Sequence, residues 1–313
     1  MPLLEIKDLV IWFRSKPGNV HAVDGVNLNV QPGQVLALLG QNGAGKTTTV
    51  RMLTSILTPT RGRAWVAGLD VVAEPAKVRS VVGVLTEQHG LYLRMSGSEY
   101  LDFFGRLYRL DDSVRKKRIR ELFEYFGLME FANQPIGKYS KGMRQKLALA
   151  RSLIHEPPVL LLDEPTSAMD PESARLVRHA IGGLRSNNRT IVICTHNLVE
   201  AELLADHIAI IYKGRVLMQG TVDELRHDLL GSPEYEVRVR GEWKEKAFGL
   251  PKGATLSGES DHTFRFRIDD PVETNPELIK SIIYSGVDVI SMQEVPHTLE
   301  EIYLAAMAKV KDG

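Results

Sequence analysis

The chain has 313 residues, 43% of them hydrophobic and 25% charged, and its 39 Lys and Arg balance 39 Asp and Glu. That length allows two domains with their own cores, and the composition excludes a disordered or collagen-like chain. The zero net charge hides a division: residues 1–220 carry seven excess positive charges and residues 221–313 seven excess negative ones, which points to two parts with different surfaces.

The first elements read as β-rich runs, LLEIKDLVIWF and NVHAVDGVNLNV. The turn Gln31-Pro32-Gly33-Gln34 leads into the short apolar strand VLALLG, residues 35 to 40, and a helix-compatible segment follows its glycines. From about 88 to 140 the character is helical. SGSEYLDFFGRLYRL and DDSVRKKRIRELFEYFGL both read as helices, the second with Ile119, Leu122, Phe123 and Phe126 on one face and Gly127 as a C-cap. Strand and helix then alternate: a helix from Met143 to Ile154, the strand VLLL at 159–162, a helix from Pro171 to Leu184 and the strand TIVIC at 190–194. Such alternation predicts a largely parallel sheet buried on both faces. HIAIIYKGRVLMQG predicts a hairpin turning at Lys213-Gly214, and Thr221 to Glu224 has capping-box spacing for a closing helix. Beyond 232 the strands YEVRVR and TFRFRI, a helix at 274–285, a strand at 287–295 and a final helix TLEEIYLAAMAK predict a small α+β appendage.

No run reaches the roughly 18 apolar residues of a spanning helix, and the start MPLLEIKDLV has no secretion-signal pattern. The single cysteine, Cys194, excludes an intrachain disulfide framework and a zinc site built on several cysteines, so a reducing cytoplasm is expected.

Gly40-Gln41-Asn42-Gly43-Ala44-Gly45-Lys46-Thr47 fits the phosphate-binding pattern G-x-x-x-x-G-K-[ST]. Its glycines let the backbone aim N–H groups at phosphate oxygens, Lys46 adds a point charge, and the Thr47 hydroxyl suits Mg²⁺. Val159 to Leu162 runs into Asp163-Glu164, which a parallel sheet delivers to the same carboxyl edge. Asp163 is suited to holding Mg²⁺ and Glu164 to polarising an attacking water.

With these in place the sequence resembles a family, the ATP-binding cassette (ABC) ATPases that power ABC transporters. Tyr139-Ser140-Lys141-Gly142-Met143-Arg144-Gln145 is similar to its signature motif in exporter-type members, 94 residues beyond Lys46 and 23 before Asp163 counted from Ser140; Lys141 replaces the usual small residue and either adds positive charge near the phosphates or faces solvent, the second being the favoured reading. Gln88 resembles the family's Q-loop glutamine, Ser167 to Asp170 its D-loop, His196 its switch histidine, and Phe13 the aromatic that stacks on adenine. The resemblance covers about residues 3–230. It implies an α/β P-loop NTPase cassette at 1–230, a mixed sheet with a β-subdomain and a helical subdomain at about 88–140, followed by a small α+β domain at 232–313.

The resemblance also implies ATP and Mg²⁺ as cofactors. Glu164, His196 and Gln88 would be catalytic. Gly40, Gln41, Asn42, Gly43, Ala44, Gly45, Lys46, Thr47, Thr48 and Phe13 would hold nucleotide, with Ser140 and Gly142, while Thr47, Gln88 and Asp163 would hold the metal. It implies a dimer that sandwiches ATP between the phosphate loop of one subunit and the signature of the other, on a separate polytopic permease at the cytoplasmic face of the membrane, as in exporters of drugs, bacteriocins, ions or polysaccharides. The alternatives are a non-transport cassette ATPase acting on ribosomes or chromosomes, against which the single cassette and the short helical insert argue, and a GTPase or small kinase, against which the lack of Asn-Lys-x-Asp argues. Cys194 reads as a small buried hydrophobe and not half of a Cys/His pair. Arg115 to Arg120 reads as a solvated helix face rather than a nucleic-acid patch, and no nucleic acid is expected as a partner. Trp65 and the pairs Phe103-Phe104 and Tyr125-Phe126 read as core.

Overall fold

The computed structural model describes residues 2–14, 18–87, 90–167, 169–187, 189–241 and 249–311. They gather into two compact units, 1–222 and 223–313.

In chain order the first unit contains β1 (Leu4–Arg14), β2 (Asn19–Val30), β3 (Val35–Leu39), α1 (Lys46–Leu53), β4 (Arg61–Val66), β5 (Leu69–Asp70), α2 (Pro75–Val81), β6 (Val82–Leu85), α3 (Gly97–Leu107), α4 (Asp112–Tyr125), α5 (Lys141–Leu153), β7 (Val159–Asp163), α6 (Pro171–Gly183), β8 (Thr190–Thr195), α7 (Leu198–Leu204), β9 (His207–Tyr212) and β10 (Arg215–Gly220). Two sheets result. An antiparallel one has the order β2-β1-β4-β5, and a six-stranded one has the order β10-β9-β3-β8-β7-β6, parallel except for the edge strand β10.

The central strands β3, β7 and β8 are buried at every residue, as their unbroken apolar sequences require of strands covered on both faces. Their side chains part by the two-residue period. Leu36, Leu38, Leu161 and Val192 join a core with the antiparallel sheet, while Val35, Leu160, Leu162, Ile191 and Ile193 join one with the helices. The helical segment is pinned at its start by a complete capping box, in which Ser96 and Glu99 satisfy each other's backbone N–H groups. Ile119 packs partly buried and Leu122, Phe123 and Phe126 fully buried in that second core, as their spacing predicts.

Three surface expectations are corrected. Arg115 is buried, because Gly105 leaves room for its stem and its guanidinium bonds Asp102 at 2.6 Å, Asp112 at 2.6 Å and the Leu110 carbonyl at 2.9 Å. Lys116, Lys117 and Arg120 keep the solvated positions. Phe103 and Tyr125 are exposed, Phe103 stacking edge-on against exposed Tyr92 at 6.0 Å. Trp65 is half-buried between the cations of Lys7 and Arg63.

The second unit holds α8 (Val222–Leu230), β11 (Glu234–Arg240), β12 (Ala254–Ser260), β13 (Thr263–Ile268), α9 (Pro271–Tyr284), β14 (Asp288–Glu294) and α10 (Leu299–Lys311). Its antiparallel sheet has the order β12-β13-β11-β14. The inward residues Val237, Val239, Phe264, Phe266 and Ile268 pack with Leu278 and Ile282 of α9. Helix α9 starts three residues before the expected 274 because Asp270 caps it, accepting from the N–H groups of Val272 and Glu273. Helix α8 groups almost wholly with this unit, tied through Arg226 to the His297 carbonyl and through Asp228 to Lys309.

Candidate active site

The parallel sheet aligns the ends of three strands. Leu39 of β3 pairs with Thr195 of β8, and Asp163 of β7 with Cys194 of β8, so the phosphate-loop sequence, Asp163-Glu164 and His196 emerge at one edge. The loop from Gly40 to Gly45 depends on its glycines at both ends. A Cβ on Gly40 would collide with the Ile211 carbonyl oxygen, and Gly45, at φ 110°, takes a left-handed conformation that a side chain strains. Gly45 caps α1 without a side-chain bond, and no acidic residue sits in the first turn. The leading N–H groups of α1 therefore keep their positive field for an anion.

Asn42, Gly43, Gly45, Lys46, Thr47, Thr48, Glu164 and His196 line one cavity of about 390 Å³. Ala22, Glu87 and Ser167 complete it; the sequence reading gave Ala22 and Glu87 no role. Glu87 could have been found as the neighbour of Gln88, whereas Ala22 comes from β2, and no local signal marks it. Lys46 is buried, its ammonium donating to the carbonyls of Gly40 at 2.6 Å and Gln41 at 3.2 Å and pairing with Glu164 Oε1 at 3.2 Å. The other oxygen of Glu164, Oε2, lies 2.8 Å from His196 Nδ1. One carboxylate thus bridges the loop lysine and the histidine beyond β8.

Glu164 also carries backbone strain. Its φ of 51° lies in the left-handed region, where a non-glycine residue costs on the order of 1–3 kcal/mol, and a 2.8 Å bond from its N–H to the Cys194 carbonyl helps to hold it. Asp163 beside it is buried, with Oδ1 lacking any partner among the described residues. Burial pushes the Asp163 carboxyl above its usual range, as do the charges of Glu164 and Glu87, against a hydrogen bond from Thr47 and the charge of Lys46. Cys194 is fully buried, and burial pushes its thiol well up, so it is no nucleophile.

Other expected residues lie elsewhere. Ser140 is exposed and caps α5, accepting from the Met143 N–H at 3.2 Å, and neither it nor Gly142 lines the cavity. Gly142 packs against Ser173, and Gln145 donates to the Pro165 carbonyl, which joins the start of α5 to the turn after Glu164. Lys141 is exposed, as expected. Phe13 is exposed on β1 opposite Val20 and outside the cavity lining. Gln88 and Ala168 lie outside the described residues.

A phosphate loop entering a helix, facing an Asp-Glu pair at the carboxyl edge of a parallel sheet, defines a nucleoside triphosphatase of the P-loop class. Comparison with known proteins narrows the class. The family model for the ABC transporter matches residues 23–167, and that for the ATP-binding protein DrrA1-3-like C-terminal domain matches residues 220–307. The ABC transporter ATP-binding protein NatA of Bacillus subtilis is 41% identical over 224 residues, 71% of this chain and 91% of that protein. The daunorubicin resistance ATP-binding protein DrrA3 of Streptomyces coeruleorubidus is 36% identical over 292 residues, 92% and 91% of the two chains. Among solved structures, an ATP-binding subunit of an ABC transporter is 29% identical with a TM-score of 0.65, covering 73% of this chain and 94% of its own. The cassette MJ0796 in a dimeric post-hydrolysis state with ADP and Pi shares the fold, at 24% identity and a TM-score of 0.64 over 70% of this chain and 98% of that one.

The chain belongs to the ATP-binding proteins of ABC transporters, in the group that carries a DrrA-like C-terminal domain. It is an ATP-binding and ATP-hydrolysing subunit.

Proposed function

We propose that the cavity hydrolyses ATP to drive export through a separate polytopic membrane subunit, with Glu164 as the general base. The observation that carries the roles is the bridge from Lys46 through Glu164 to His196 at the mouth of the phosphate loop. The ammonium of Lys46, held by two carbonyls of its own loop, exchanges them for β and γ phosphate oxygens, while the N–H groups from Gly40 to Thr48 cradle the chain of phosphates. Glu164 then loses its cation partner and turns to the water that attacks the γ-phosphorus. His196, with Nδ1–H donating to Glu164, orients that carboxylate beside the γ-phosphate.

Thr47 and Asp163 fit Mg²⁺, since the orphaned, buried Asp163 oxygen beside the Thr47 hydroxyl makes an all-oxygen donor set for a small hard cation. Gln88 completes that set in the family pattern. Bound there, Mg²⁺ neutralises charge developing on the phosphates. Phe13 supplies the stacking face for adenine.

The position of Ser140 and Gly142 outside the cavity supports a dimer in which the exposed start of α5 reaches the nucleotide of a second copy; Ser140 leaves the remaining N–H groups of that helix for a γ-phosphate. Among the described residues no helix is long and apolar enough to cross a membrane, which fits a peripheral subunit at the cytoplasmic face. The resistance relatives support an amphipathic drug or antibiotic as cargo. Exposed Tyr92, Leu93 and Phe103 form the apolar surface for the membrane subunit, and changes at Tyr92 or Arg94 are expected to uncouple transport while sparing basal hydrolysis.

Glu164→Gln tests the central assignment. It is expected to lower turnover by about 10² to 10⁴ and to retain ATP in a closed dimer, read by phosphate release and by size-exclusion chromatography with ATP. Undiminished hydrolysis removes Glu164 as the base.

A further inference from the structure

Glu200 sits in the first turn of α7, 1% exposed, and the roles above leave it unused. Its Oε1 accepts a 2.8 Å hydrogen bond from the Thr166 hydroxyl, and the Thr195 hydroxyl lies beside the same carboxyl and favours its charged form. Thr195 in turn accepts from the Asn197 N–H at 3.0 Å, and Asn197 caps the helix by accepting from the Glu200 N–H at 3.2 Å. Both threonines are buried. Their places in the chain matter, since Thr166 follows Glu164 by two residues and Thr195 immediately precedes His196.

The surroundings do not favour a charge at this point. Burial pushes the Glu200 carboxyl above its usual range and the neighbouring Glu164 adds to this, while the two hydroxyls and the charge of Arg178 pull it back. Packing alone would be served as well by an apolar side chain of similar size. What a carboxyl adds is two acceptor positions. They face the hydroxyls of two segments that the sheet otherwise joins here through the Glu164 N–H bond to Cys194. Glu164 leaves that bond in a strained left-handed conformation, so the turn that follows has to be held.

We propose that Glu200 is a positioning residue for hydrolysis: by accepting from Thr166 and joining Thr195 through Asn197 it locks the turn after Glu164 to the residue before His196 and sets the contact between Glu164 and His196. This rests on the assignment of Glu164 as the base.

The test measures steady-state hydrolysis and the affinity for a fluorescent ATP analogue in the full chain carrying Thr166→Val, Glu200→Ala or Glu200→Gln, each alone and with Glu164→Gln. Thr166→Val and Glu200→Ala are expected to lower kcat about 10- to 100-fold, the order that follows a displacement of roughly 1 Å, with KM and affinity within about twofold. Glu200→Gln accepts from one hydroxyl and donates to the other, and is expected to restore kcat to within about threefold. Neither Thr166→Val nor Glu200→Ala should lower the residual single-turnover rate of Glu164→Gln, because effects routed through one residue do not add.

Unchanged kcat, affinity lost in step with kcat, or full additivity with Glu164→Gln overturns the proposal. If Glu200→Ala does not fold, the isosteric Thr166→Val decides. An active Glu164→Gln chain would remove the base assignment itself, whereas an inactive one beside fully active Thr166→Val and Glu200→Ala would remove only the role of Glu200.

Discussion

Two polar concavities stand out among the described residues, and the smaller one is the site. The cavity at the sheet edge of the first unit measures about 390 Å³, while a groove of about 570 Å³ runs over the outer face of the second unit's sheet, lined by Glu236, Arg238, Glu259 and Arg265 among others. In the groove the charges are largely exposed, and its pairs resemble any solvated sheet face: Arg265 meets Glu236 at 3.3 Å and, alongside, Arg267 meets Glu234 at 3.1 Å. At the cavity Lys46 and the adjoining Asp163 are buried, an Asp163 oxygen lacks a partner among the described residues and the Glu164 backbone is strained. Unfavourable groups held together by a rigid sheet distinguish a site from a surface, and density of charge does not.

The sharpest way to break the comparison is to take the cation out of the cavity. Lys46→Ala removes one charge-assisted contact to phosphate, so calorimetric titration is expected to show nucleotide binding about 10- to 150-fold weaker. An affinity as strong as that of the unaltered chain would show that the loop's N–H groups suffice and that Lys46 only neutralises Glu164.

Asp163 tests the same contrast from the stability side. Its carboxyl titrates above the usual range, so its favourable contribution is present at low pH and lost as pH rises through the folded value, beyond which the ionised group opposes folding. Asp163→Asn is expected to raise the Tm of the nucleotide-free chain by about 2–4 °C. It should also shrink the further rise produced by Mg²⁺ and ATP. A lower Tm in the nucleotide-free variant would show that the carboxylate is satisfied as it stands.

Much of this was legible in the sequence, for a physical reason. The phosphate loop, the strand ending at Asp163-Glu164 and the strand before His196 are local patterns, and a parallel sheet brings such strand ends to one edge. What stayed hidden depends on pairing over long separations. Ala22 reaches the cavity through the placement of β2, and Glu200 meets Thr166 across 34 residues, with no periodicity to announce either. Arg115 looked like one more charge in a basic run until the gap left by Gly105 and the carboxylates of Asp102 and Asp112 explained its burial. Strand β12 lacks the alternation of its partner β13, reading ATLSGES with a register shift between Leu256 and Gly258, and only its pairing makes it a strand.

His155 shows why one orphaned atom is not enough. It is half-buried, Tyr108 stacks on it at 3.7 Å, its Nε2 lies 3.2 Å from the Val82 carbonyl, and its Nδ1 has no partner among the described residues. It shares a small cavity with Glu121 and Glu156, but among the described residues no nucleophile or phosphate loop converges there. Burial depresses its pKa from 6.5 to about 4. A depressed value means that the stability it permits is present above pH 6.5 and lost as pH falls toward 4, at up to about 1.4 kcal/mol per pH unit. Denaturant titrations of His155→Gln are expected to flatten that acid limb and leave hydrolysis at pH 7.5 intact; a loss of turnover would make this a second functional position.

The smallest effect is expected on the sheet face of the second unit, and it decides whether the contrast between the two concavities is general. Arg265 and Glu236 form a pair whose arginine is half exposed, and exposed pairs contribute about 0.2–1 kcal/mol because water and salt screen them. Arg265→Ala should therefore lower the stability of this unit by less than about 1 kcal/mol in urea, with the difference shrinking further in 0.5 M salt. Its ATPase rate should match the unaltered chain, since nothing in the groove is buried, strained or unpaired in the manner of Asp163 and Glu164. A tenfold loss of turnover would mean that the groove holds a ligand or partner on which hydrolysis depends, and burial with strain would then no longer separate a site from a surface in this protein.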